Sequence, residues 1–262
     1  MEEKEKKIAF LDSGVGGITV FEKVKKLLPN ENFVYLGDLK NFPYGNKTYE
    51  QLLEITTKNF DYFKTLGVKA VVMACNTTSA TVYGDLKNNY DFKIYPIIQS
   101  TASVIAKLPV KKIGVFATEA TIKNGAYGRE LKKHNPDLEV FEIACPSWVK
   151  IVEEKSQNVS ESIEQVKFYL DKMLANNPDK IILGCTHYPY LLEVLEKFAP
   201  RELFIDPSEY FAQFIKADLG VNDLLNDSAE SSEKFLVSAN PQQFKEAATL
   251  FYSLKALPEV VK

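Results

Sequence analysis

Two apolar runs that each end in a cysteine constrain the fold more than any other feature of this 262-residue sequence. They occupy residues 71–75 and 181–185. A second pair of similar apolar runs, at residues 6–13 and 111–118, precedes them in the same order and at a similar spacing. Chance likeness between hydrophobic strands would explain one matched pair, whereas two pairs in the same order favour a chain built of two related halves.

Apolar β-branched segments alternate with segments of helical periodicity along the chain. In the first half the pattern predicts strands at residues 7–11, 32–36 and 70–73 and helices at residues 17–28 and 49–66. Continuous apolar strands separated by helices are typical of a parallel sheet that is covered on both faces. The sequence therefore predicts an α/β fold of two pseudosymmetric parallel-sheet domains. Because ligands of such sheets lie beyond the carboxyl ends of the strands, we expect the active-site cleft between the domains.

The tail of the chain, from residue 207 onward, does not repeat the pattern of the second half. It predicts helices at residues 208–219 and 241–254, with a strand at residues 234–238 between them. We expect this tail to cross back and complete the first domain. The predicted domains are residues 1–99 plus 208–262 for the first and residues 100–207 for the second.

The charge balance and the cysteine count exclude several classes of protein. The 35 acidic and 32 basic residues give a formal net charge of −3. A nucleic-acid partner needs clustered Lys and Arg, so none is expected. No apolar run is as long as a membrane span, and the charged N-terminus is unlike a signal peptide, so no membrane partner is expected. Three sparse cysteines are unlike a disulfide framework and indicate free thiols and a cytoplasmic location.

Polar residues follow both of the cysteines that end the matched runs. Cys75 precedes an Asn-Thr-Thr-Ser segment, and Cys185 precedes Thr186 and His187, where a helix is expected to begin. A lone cysteine at a strand end is usually a small buried apolar residue. These polar neighbours and the N-terminus of a helix instead favour a reactive thiol with a lowered pKa.

Two thiols without further metal ligands restrict the chemistry to a few reactions. A metal site needs three or four ligands, and only His187 is available to join the thiols. No Cys-x-x-Cys motif indicates redox chemistry. The remaining chemistry is proton transfer. Racemisation removes a proton from one face of a carbon and returns one to the other face, and two matched thiols on opposite walls meet that requirement.

Five short motifs, in order along the chain, resemble those of glutamate racemases. They are Asp-Ser-Gly-Val-Gly-Gly at residues 12–17, Pro-Tyr-Gly at 43–45, Ala-Cys-Asn-Thr at 74–77, a Thr-x-Ala-Thr-Ile segment within 118–127 and Gly-Cys-Thr-His-Tyr-Pro at 184–189. The resemblance implies interconversion of L-glutamate and D-glutamate without a cofactor or a metal, with D-glutamate supplied for bacterial peptidoglycan. It also implies a homodimer whose small-molecule substrate is glutamate.

The resemblance assigns catalytic roles to five residues: Cys75, Cys185, Asp12, His187 and Glu153. It implies that Cys75 acts on D-glutamate with Asp12 as its partner, and Cys185 on L-glutamate with His187 as its partner. The alternative interpretations are a turn or N-cap residue for Asp12 and a buried core histidine for His187. Near Glu153, Lys150 replaces the family's usual proline and Ile151 its usual leucine, so the adjacent Glu154 is an alternative.

The resemblance also implies substrate contacts, most of them from neutral hydrogen-bond donors. The residues are Asp12, Ser13, Pro43, Tyr44, Gly45, Cys75, Asn76, Thr77, Thr118, Thr121, Cys185, Thr186 and His187. Neutral donors suit thiols that exchange protons, whereas excess positive charge would keep them ionised. The two arginines, Arg129 and Arg201, lie outside the motifs. Cys145, which has no basic neighbour, is expected to be structural.

Three alternative functions stay open. An aspartate or hydantoin racemase would use the same fold, but His187 after Cys185 and Thr186 favours glutamate. A non-catalytic ligand-binding protein on this fold would be expected to lack one thiol, and both are present. A nucleotide-dependent enzyme rests only on the glycine segment at residues 14–17, which lacks the last glycine of Gly-x-Gly-x-x-Gly and the Lys-Ser/Thr pair of a P-loop.

Overall fold

The computed structural model describes residues 2–228, 230–249 and 252–261, in which the strands form two parallel sheets. The strands are β1 Ile8–Asp12, β2 Phe33–Gly37, β3 Ala70–Met73, β4 Lys93–Pro96, β5 Lys112–Ala117, β6 Glu139–Ala144, β7 Lys180–Gly184, β8 Phe204–Ile205, β9 Glu233–Val237 and β10 Glu259–Val260. The first sheet has the order β10-β9-β2-β1-β3-β4, and the second has the order β6-β5-β7-β8.

Helices connect these strands. They are α1 Ile18–Leu27, α2 Tyr49–Thr65, α3 Asn76–Thr81, α4 Tyr83–Leu86, α5 Ile97–Ile105, α6 Glu119–Asn124, α7 Ala126–His134, α8 Trp148–Glu153, α9 Ser160–Leu174, α10 Leu192–Leu195, α11 Pro207–Val221 and α12 Pro241–Ala248. Their starts follow local chemistry: α2 begins at a capping box in which Thr48 and Gln51 bond each other's backbone N–H groups. Among the described residues, no helix is both long and apolar enough to cross a membrane.

The strand order of the second sheet repeats within the first. The order β2-β1-β3-β4 corresponds to β6-β5-β7-β8, so β1 is equivalent to β5 and β3 to β7. Cys75 and Cys185 therefore follow equivalent strands, beyond the carboxyl ends of their sheets. The predicted fold of two pseudosymmetric parallel-sheet α/β domains is confirmed.

The apolar core explains how the two sheets are held together. Along β1, Ile8 and Phe10 belong to one apolar cluster and Ala9 and Leu11 to another, as expected for alternate residues of a strand covered on both faces. The cluster that contains Ile8 also contains Ile113 of β5, so both sheets share it. Because protein interiors are close-packed, this shared core fixes the residues at the carboxyl ends of one sheet relative to those of the other.

The tail crosses back to the first sheet, where β9 pairs with β2 along its whole length. The helix α11 packs against α1 and α5. The predicted helix over residues 241–254 is too long: α12 ends at Ala248, residues 252–254 are not helical, and residues 250 and 251 lie outside the described part of the chain. Tyr252 instead donates a hydrogen bond of 2.6 Å to Glu233 of β9. The predicted boundary between residues 99 and 100 falls inside α5, and the domain limits stay a prediction.

A buried ion pair ties the turn after α11 to the first sheet. Lys69 Nζ donates to Glu31 Oε2 at 2.5 Å and to the Leu224 carbonyl at 2.8 Å. The other carboxylate oxygen of Glu31 accepts the backbone N–H of Asn226 at 2.9 Å. Both charged side chains are almost fully buried, where each charge depends on its partner and on added hydrogen bonds. The turn after α11 is therefore anchored to the end of the sheet opposite the thiols.

Candidate active site

A cavity of about 480 Å³ opens where the strands of the two sheets end, and both Cys75 and Cys185 line it. The two thiols are free, and each cysteine is 7% exposed. One comes from the first sheet and one from the second. The cavity thus brings together the two residues that the sequence singled out.

Most of the other predicted site residues line the same cavity. They are Ser13, Pro43, Tyr44, Gly45, Asn76, Thr77, Thr118, Glu153, Thr186 and His187. Asp12 and Thr121 do not line it and reach it through neighbours that do. Sequence reasoning missed Phe42, Asn46, Glu119, Pro146, Val149 and Lys150 as lining residues. Phe42 and Asn46 flank the Pro-Tyr-Gly motif, and the other four lie within segments that were identified for other residues, so adjacency was the available signal. Cys145, expected to be structural, also lines the cavity.

A larger cavity, of about 690 Å³, lies at the far end of α3. Residues 79–81 line it, whereas Asn76 at the start of the same helix lines the cavity with the thiols. Neither thiol lines this larger cavity. The smaller cavity is therefore the candidate active site.

Cys75 follows β3 and is the N-cap residue of α3. Burial and the nearby charge of Asp12 raise the pKa of its thiol to about 12, although the backbone N–H groups of Thr78 and Thr77 act in the opposite direction. The expectation of a lowered pKa is therefore wrong for Cys75, although the helix N-terminus acts in the expected direction. Desolvation outweighs the hydrogen bonds that one short helix supplies, so Cys75 is a protonated thiol near neutral pH.

Asp12 is fully buried at the end of β1, where it joins the two halves. Its Oδ1 accepts the backbone N–H of Gly14 at 3.0 Å, and its Oδ2 accepts the hydroxyl of Thr186 from the second half at 3.3 Å. Burial raises the pKa of Asp12, while the positive charge of His187 and the hydrogen bonds lower it again in part. The hydrogen bond with Gly14 is the turn role given above as the alternative interpretation of Asp12. The hydrogen bond with Thr186 places the carboxylate beside the motif that contains Cys185.

Cys185 lies beside His187, and His187 is in turn hydrogen-bonded to Glu153. Its Sγ is 3.9 Å from Nδ1 of His187, and Nε2 of the same ring is 2.6 Å from Oε1 of Glu153. A carboxylate oxygen can only accept, so Nε2–H donates to Glu153 and Nδ1 faces the sulfur. Burial lowers the pKa of His187, but the hydrogen bonds with Cys185 and Glu153 outweigh it and raise the pKa to about 10. The ring is therefore an imidazolium near neutral pH.

Glu153 and Glu154 occupy different places at the end of α8. Glu153 is half-buried and bonds to His187, whereas Glu154 is exposed and lies 3.7 Å from Lys150 Nζ. The departures at Lys150 and Ile151 have not displaced Glu153 from the histidine. Of the two acids left open by the sequence, Glu153 is the one that contacts the thiol's neighbour.

Neutral hydroxyl and amide groups connect the walls of the cavity. Thr118 Oγ1 lies 3.1 Å from Thr77 Oγ1 across the two halves and 3.0 Å from Thr121 Oγ1 behind it. Tyr127 donates a hydrogen bond of 2.7 Å to the side-chain oxygen of Asn76, which fixes the orientation of that amide. These contacts hold donors at the cavity wall in place without adding charge.

The loop that carries Pro43 and Tyr44 forms one side of the cavity. The hydroxyl of Tyr44 donates to Asp38 Oδ2 at 2.7 Å, so the phenol ring rather than its hydroxyl is free to shape the wall. Asn41 also donates to Asp38, and the Phe42–Pro43 peptide is cis. Sequence reasoning missed Asp38, although it follows β2 at the carboxyl edge of the sheet, where Asp12 also lies.

The glycine segment serves close packing between the halves. A Cβ on Gly16 would lie against Thr186 Oγ1 and 2.7 Å from the His187 ring. A Cβ on Gly17 would lie 2.6 Å from the Asp12 side chain. These distances are too short for any residue but glycine, so the segment is needed where the first half meets the second thiol's motif. Ser13, which precedes this segment, lines the cavity.

Two related parallel-sheet halves that each place a free thiol on one shared cavity define a racemase-like two-domain α/β protein. The family model described as Asp/Glu/Hydantoin racemase matches residues 18–215, and the chain belongs to this family. The prediction of an isomerase acting on amino acids is confirmed by this membership and by the relatives below.

Named relatives resemble the chain over nearly its full length. A glutamate racemase of Carboxydothermus hydrogenoformans is 37% identical over 96% of this chain and 94% of the relative. The solved structure of a Francisella tularensis glutamate racemase in complex with D-glutamate has a TM-score of 0.91 and 30% identity, and covers 99% of this chain and 98% of that one. An aspartate racemase of Picrophilus torridus has a TM-score of 0.57 and 18% identity over 81% of this chain and 93% of that one, which shows a shared fold only.

Proposed function

We propose that this protein interconverts L-glutamate and D-glutamate by proton transfer at Cα, with Cys75 and Cys185 as the two acid/base groups. The observation that carries the proposal is the placement of two free, buried thiols, one from each half, on the lining of one cavity. A substrate between them presents opposite faces of Cα to opposite sulfurs, as a two-base reaction requires.

In the L-to-D direction, the thiolate of Cys185 takes the Cα proton and becomes a thiol. The thiol of Cys75 then gives its proton to the opposite face of Cα and becomes a thiolate. The D-to-L direction is the reverse. The assignment of Cys185 to L-glutamate follows the resemblance, and the protonated state of Cys75 in the free protein suits its part as the initial acid in this direction.

The neighbours of the two thiols supply the proton and charge partners. His187 presents a protonated ring to Cys185 Sγ, and Glu153 holds that ring through its Nε2–H. Asp12 acts on the side of Cys75, whose pKa it raises, and its charge, which lies behind the cavity lining, attracts the ammonium group of the substrate. A buried carboxylate in this position keeps Cys75 a strong enough base to take a proton from carbon once it is ionised.

Neutral donors hold the substrate carboxylates in this proposal. Deprotonation at Cα places negative charge on the adjacent carboxylate, where fixed hydrogen-bond donors stabilise the transition state. The proposed donors are Ser13, Asn76, Thr77, Thr118 and Thr186, with Thr121 supporting Thr118, and Pro43, Tyr44 and Gly45 form the facing wall.

Glutamate is preferred over the alternatives for two reasons. The named relatives at 30% identity or more over nearly the full chain are glutamate racemases, whereas the aspartate racemase shares only the fold. A non-catalytic binding protein would have no use for two free thiols, one from each half, on one cavity together with a His187–Glu153 pair beside one of them. The glycine segment packs against the second half, which leaves the nucleotide-dependent alternative without a site of its own.

The proposal extends to the setting of the reaction. It needs no organic cofactor or metal, because two thiols and their partners supply both protons. We propose a cytoplasmic homodimer that supplies D-glutamate for peptidoglycan. Rescue of a D-glutamate-requiring bacterium tests the supply role, and light scattering, with twice the chain mass expected, tests the dimer.

The activity is tested by isotope exchange. The purified protein, after exhaustive chelation and dialysis, is incubated in deuterated water with L-glutamate, D-glutamate or L-aspartate. Deuterium at Cα is measured by mass spectrometry, and the enantiomers are separated by chiral chromatography. We expect exchange and racemisation with both glutamate enantiomers. Exchange with aspartate alone would reassign the substrate, and exchange with none of the three would reject the enzymatic function.

A further inference from the structure

Among the described residues, Lys150 is the one lysine that lines the thiol cavity. It lies at the rim of the cavity, which we define as its exposed lining residues: Asn46, Glu119, Pro146, Lys150 and Glu154. The side chain of Lys150 is 75% exposed. The rim therefore holds one positive charge among two carboxylates.

Helix stability does not account for a lysine at this position. Residue 150 is the third residue of α8, and its backbone N–H has no partner within the helix. Because α8 has only 6 residues, Lys150 belongs to its last turn as well as its first, so the helix dipole gives no net reason for a cation there. Its exposed pair with Glu154, at 3.7 Å and with the lysine on the N-terminal side, stabilises a helix little.

The charge of the substrate gives Lys150 a role that the helix does not. Glutamate enters with two carboxylates and one ammonium group and so carries a net negative charge. Glu119 and Glu154 at the rim repel it, and Glu153 adds a further carboxylate on the cavity lining. In a cleft with low-dielectric walls, a single charge at the entrance changes the local concentration of a charged ligand.

We infer that Lys150 is a specificity-determining residue that captures anionic amino acids at the cavity rim. Its ammonium group offsets the rim carboxylates and attracts a carboxylate of the entering substrate. This inference rests on the proposed function. Because capture precedes proton transfer, Lys150 governs KM and leaves kcat unchanged.

The test compares charge variants at low and high ionic strength. Lys150→Gln removes the charge, Lys150→Arg keeps it, and Glu154→Gln removes an opposing charge. Lys58→Gln is the matched control, because Lys58 also pairs with an acid one helical turn away and is 72% exposed but lies outside the cavity. We expect Lys150→Gln to raise KM for glutamate roughly three- to fivefold at about 10 mM salt and to match the wild type near 1 M, where charges are screened within about 3 Å.

The other variants fix the cause as charge. Lys150→Arg and Lys58→Gln should keep the wild-type KM, and Glu154→Gln should lower it. A wild-type KM in Lys150→Gln at low salt, or a raised KM that persists unchanged at high salt, overturns the inference. Calorimetric titration with L-glutamate gives a second measurement that does not need turnover. If the wild type binds glutamate without racemising it, the proposed function fails while a weaker, salt-sensitive affinity in Lys150→Gln still supports the role of Lys150.

Discussion

The two thiols occupy equivalent places in related halves, yet their surroundings are opposite in charge. Cys75 lies near a buried carboxylate that, together with burial, raises its pKa to about 12. Cys185 lies beside an imidazolium that Glu153 holds in place. The strand order repeats between the halves, but the proton partners do not. Pseudosymmetry therefore sets where the two thiols lie, whereas burial and the charge of Asp12 set the protonation state of Cys75.

Thermodynamics limits what this asymmetry can do to the reaction. The two enantiomers of glutamate have equal free energy, so kcat/KM is the same in both directions for any variant. Different thiol environments show only in the separate values of kcat and KM and in the chemistry of the free protein. The following predictions are arranged from the largest expected effect to the smallest.

Loss of either thiol should remove the reaction despite their different surroundings. We expect Cys75→Ala and Cys185→Ala each to lower racemisation roughly 10³-fold or more, because each face of Cα needs its own group. Chiral chromatography measures the turnover, and circular dichroism with thermal unfolding checks the fold. Cys145→Ala is the control, since its thiol is buried with a raised pKa, and it should keep most of the activity. Full activity in either of the first two variants rejects the two-base mechanism.

Alkylation should distinguish the thiols in the free protein. Both cysteines are 7% exposed, so access does not separate them. The thiolate is the reactive form, and a pKa of about 12 leaves little of it at Cys75. At pH 8 we expect iodoacetamide to modify Cys185 at least about tenfold faster than Cys75, as followed by peptide mass spectrometry. Equal rates would contradict the proposed difference in charge around the two sulfurs.

The two halves are in close contact at Gly16, and a larger residue there should disrupt this contact. A Cβ there meets Thr186 and the His187 ring, so Gly16→Ala should lower the free energy of unfolding by about 1–3 kcal/mol and kcat/KM by about tenfold. Urea unfolding and racemisation measure the two effects. Gly84→Ala is the matched control, because a Cβ on Gly84 meets nothing within 4 Å. Similar behaviour of the two variants would show that the contact is unimportant.

Removal of the Glu153 charge should move the pH profile without removing the reaction. Hydrogen bonds with Cys185 and Glu153 raise the pKa of His187 to about 10, so the imidazolium is present below that pH and lost above it. Glu153→Gln lowers this pKa, and the alkaline limb of kcat/KM should shift to lower pH by about one unit. Glu154→Gln should leave the limb in place, since Glu154 is exposed and pairs with Lys150. If the alkaline limb does not shift in Glu153→Gln, Glu153 has no part in setting the protonation of His187.

Much of the fold could be predicted because its determinants are local. Strand β3 has the predicted limits, and the strand predicted over 234–238 lies within one residue of β9. The predicted helix over 241–254 is too long because Tyr252 donates a hydrogen bond to Glu233 of β9. Hydrophobic periodicity gives no sign of such a long-range contact. Local apolar patterns thus located the elements, and long-range contacts decided where one of them ends.

The sequence predicted most of the residues that form the candidate site but not how they are arranged. Motifs identified most of the lining residues. Phe42 was missed because it lies just outside a motif, and Lys150 was noted as a departure near Glu153 but not as a lining residue. The motifs suggested Asp12 as a partner of Cys75, yet its hydrogen bonds run to Gly14 and to Thr186 of the other half. A pairing across 174 residues depends on how the halves pack, which no local pattern specifies.

The sequence by itself determined the α/β class, the duplication and the two cysteines at equivalent strand ends, because hydrophobic periodicity and repeated order are written along the chain. Only the tertiary structure decided that Glu153 rather than Glu154 meets His187, that Gly16 lies against the second thiol's motif, and that Cys75 has a raised pKa. Burial and the approach of distant charges govern these properties. Both arise only when the two halves close around the cavity.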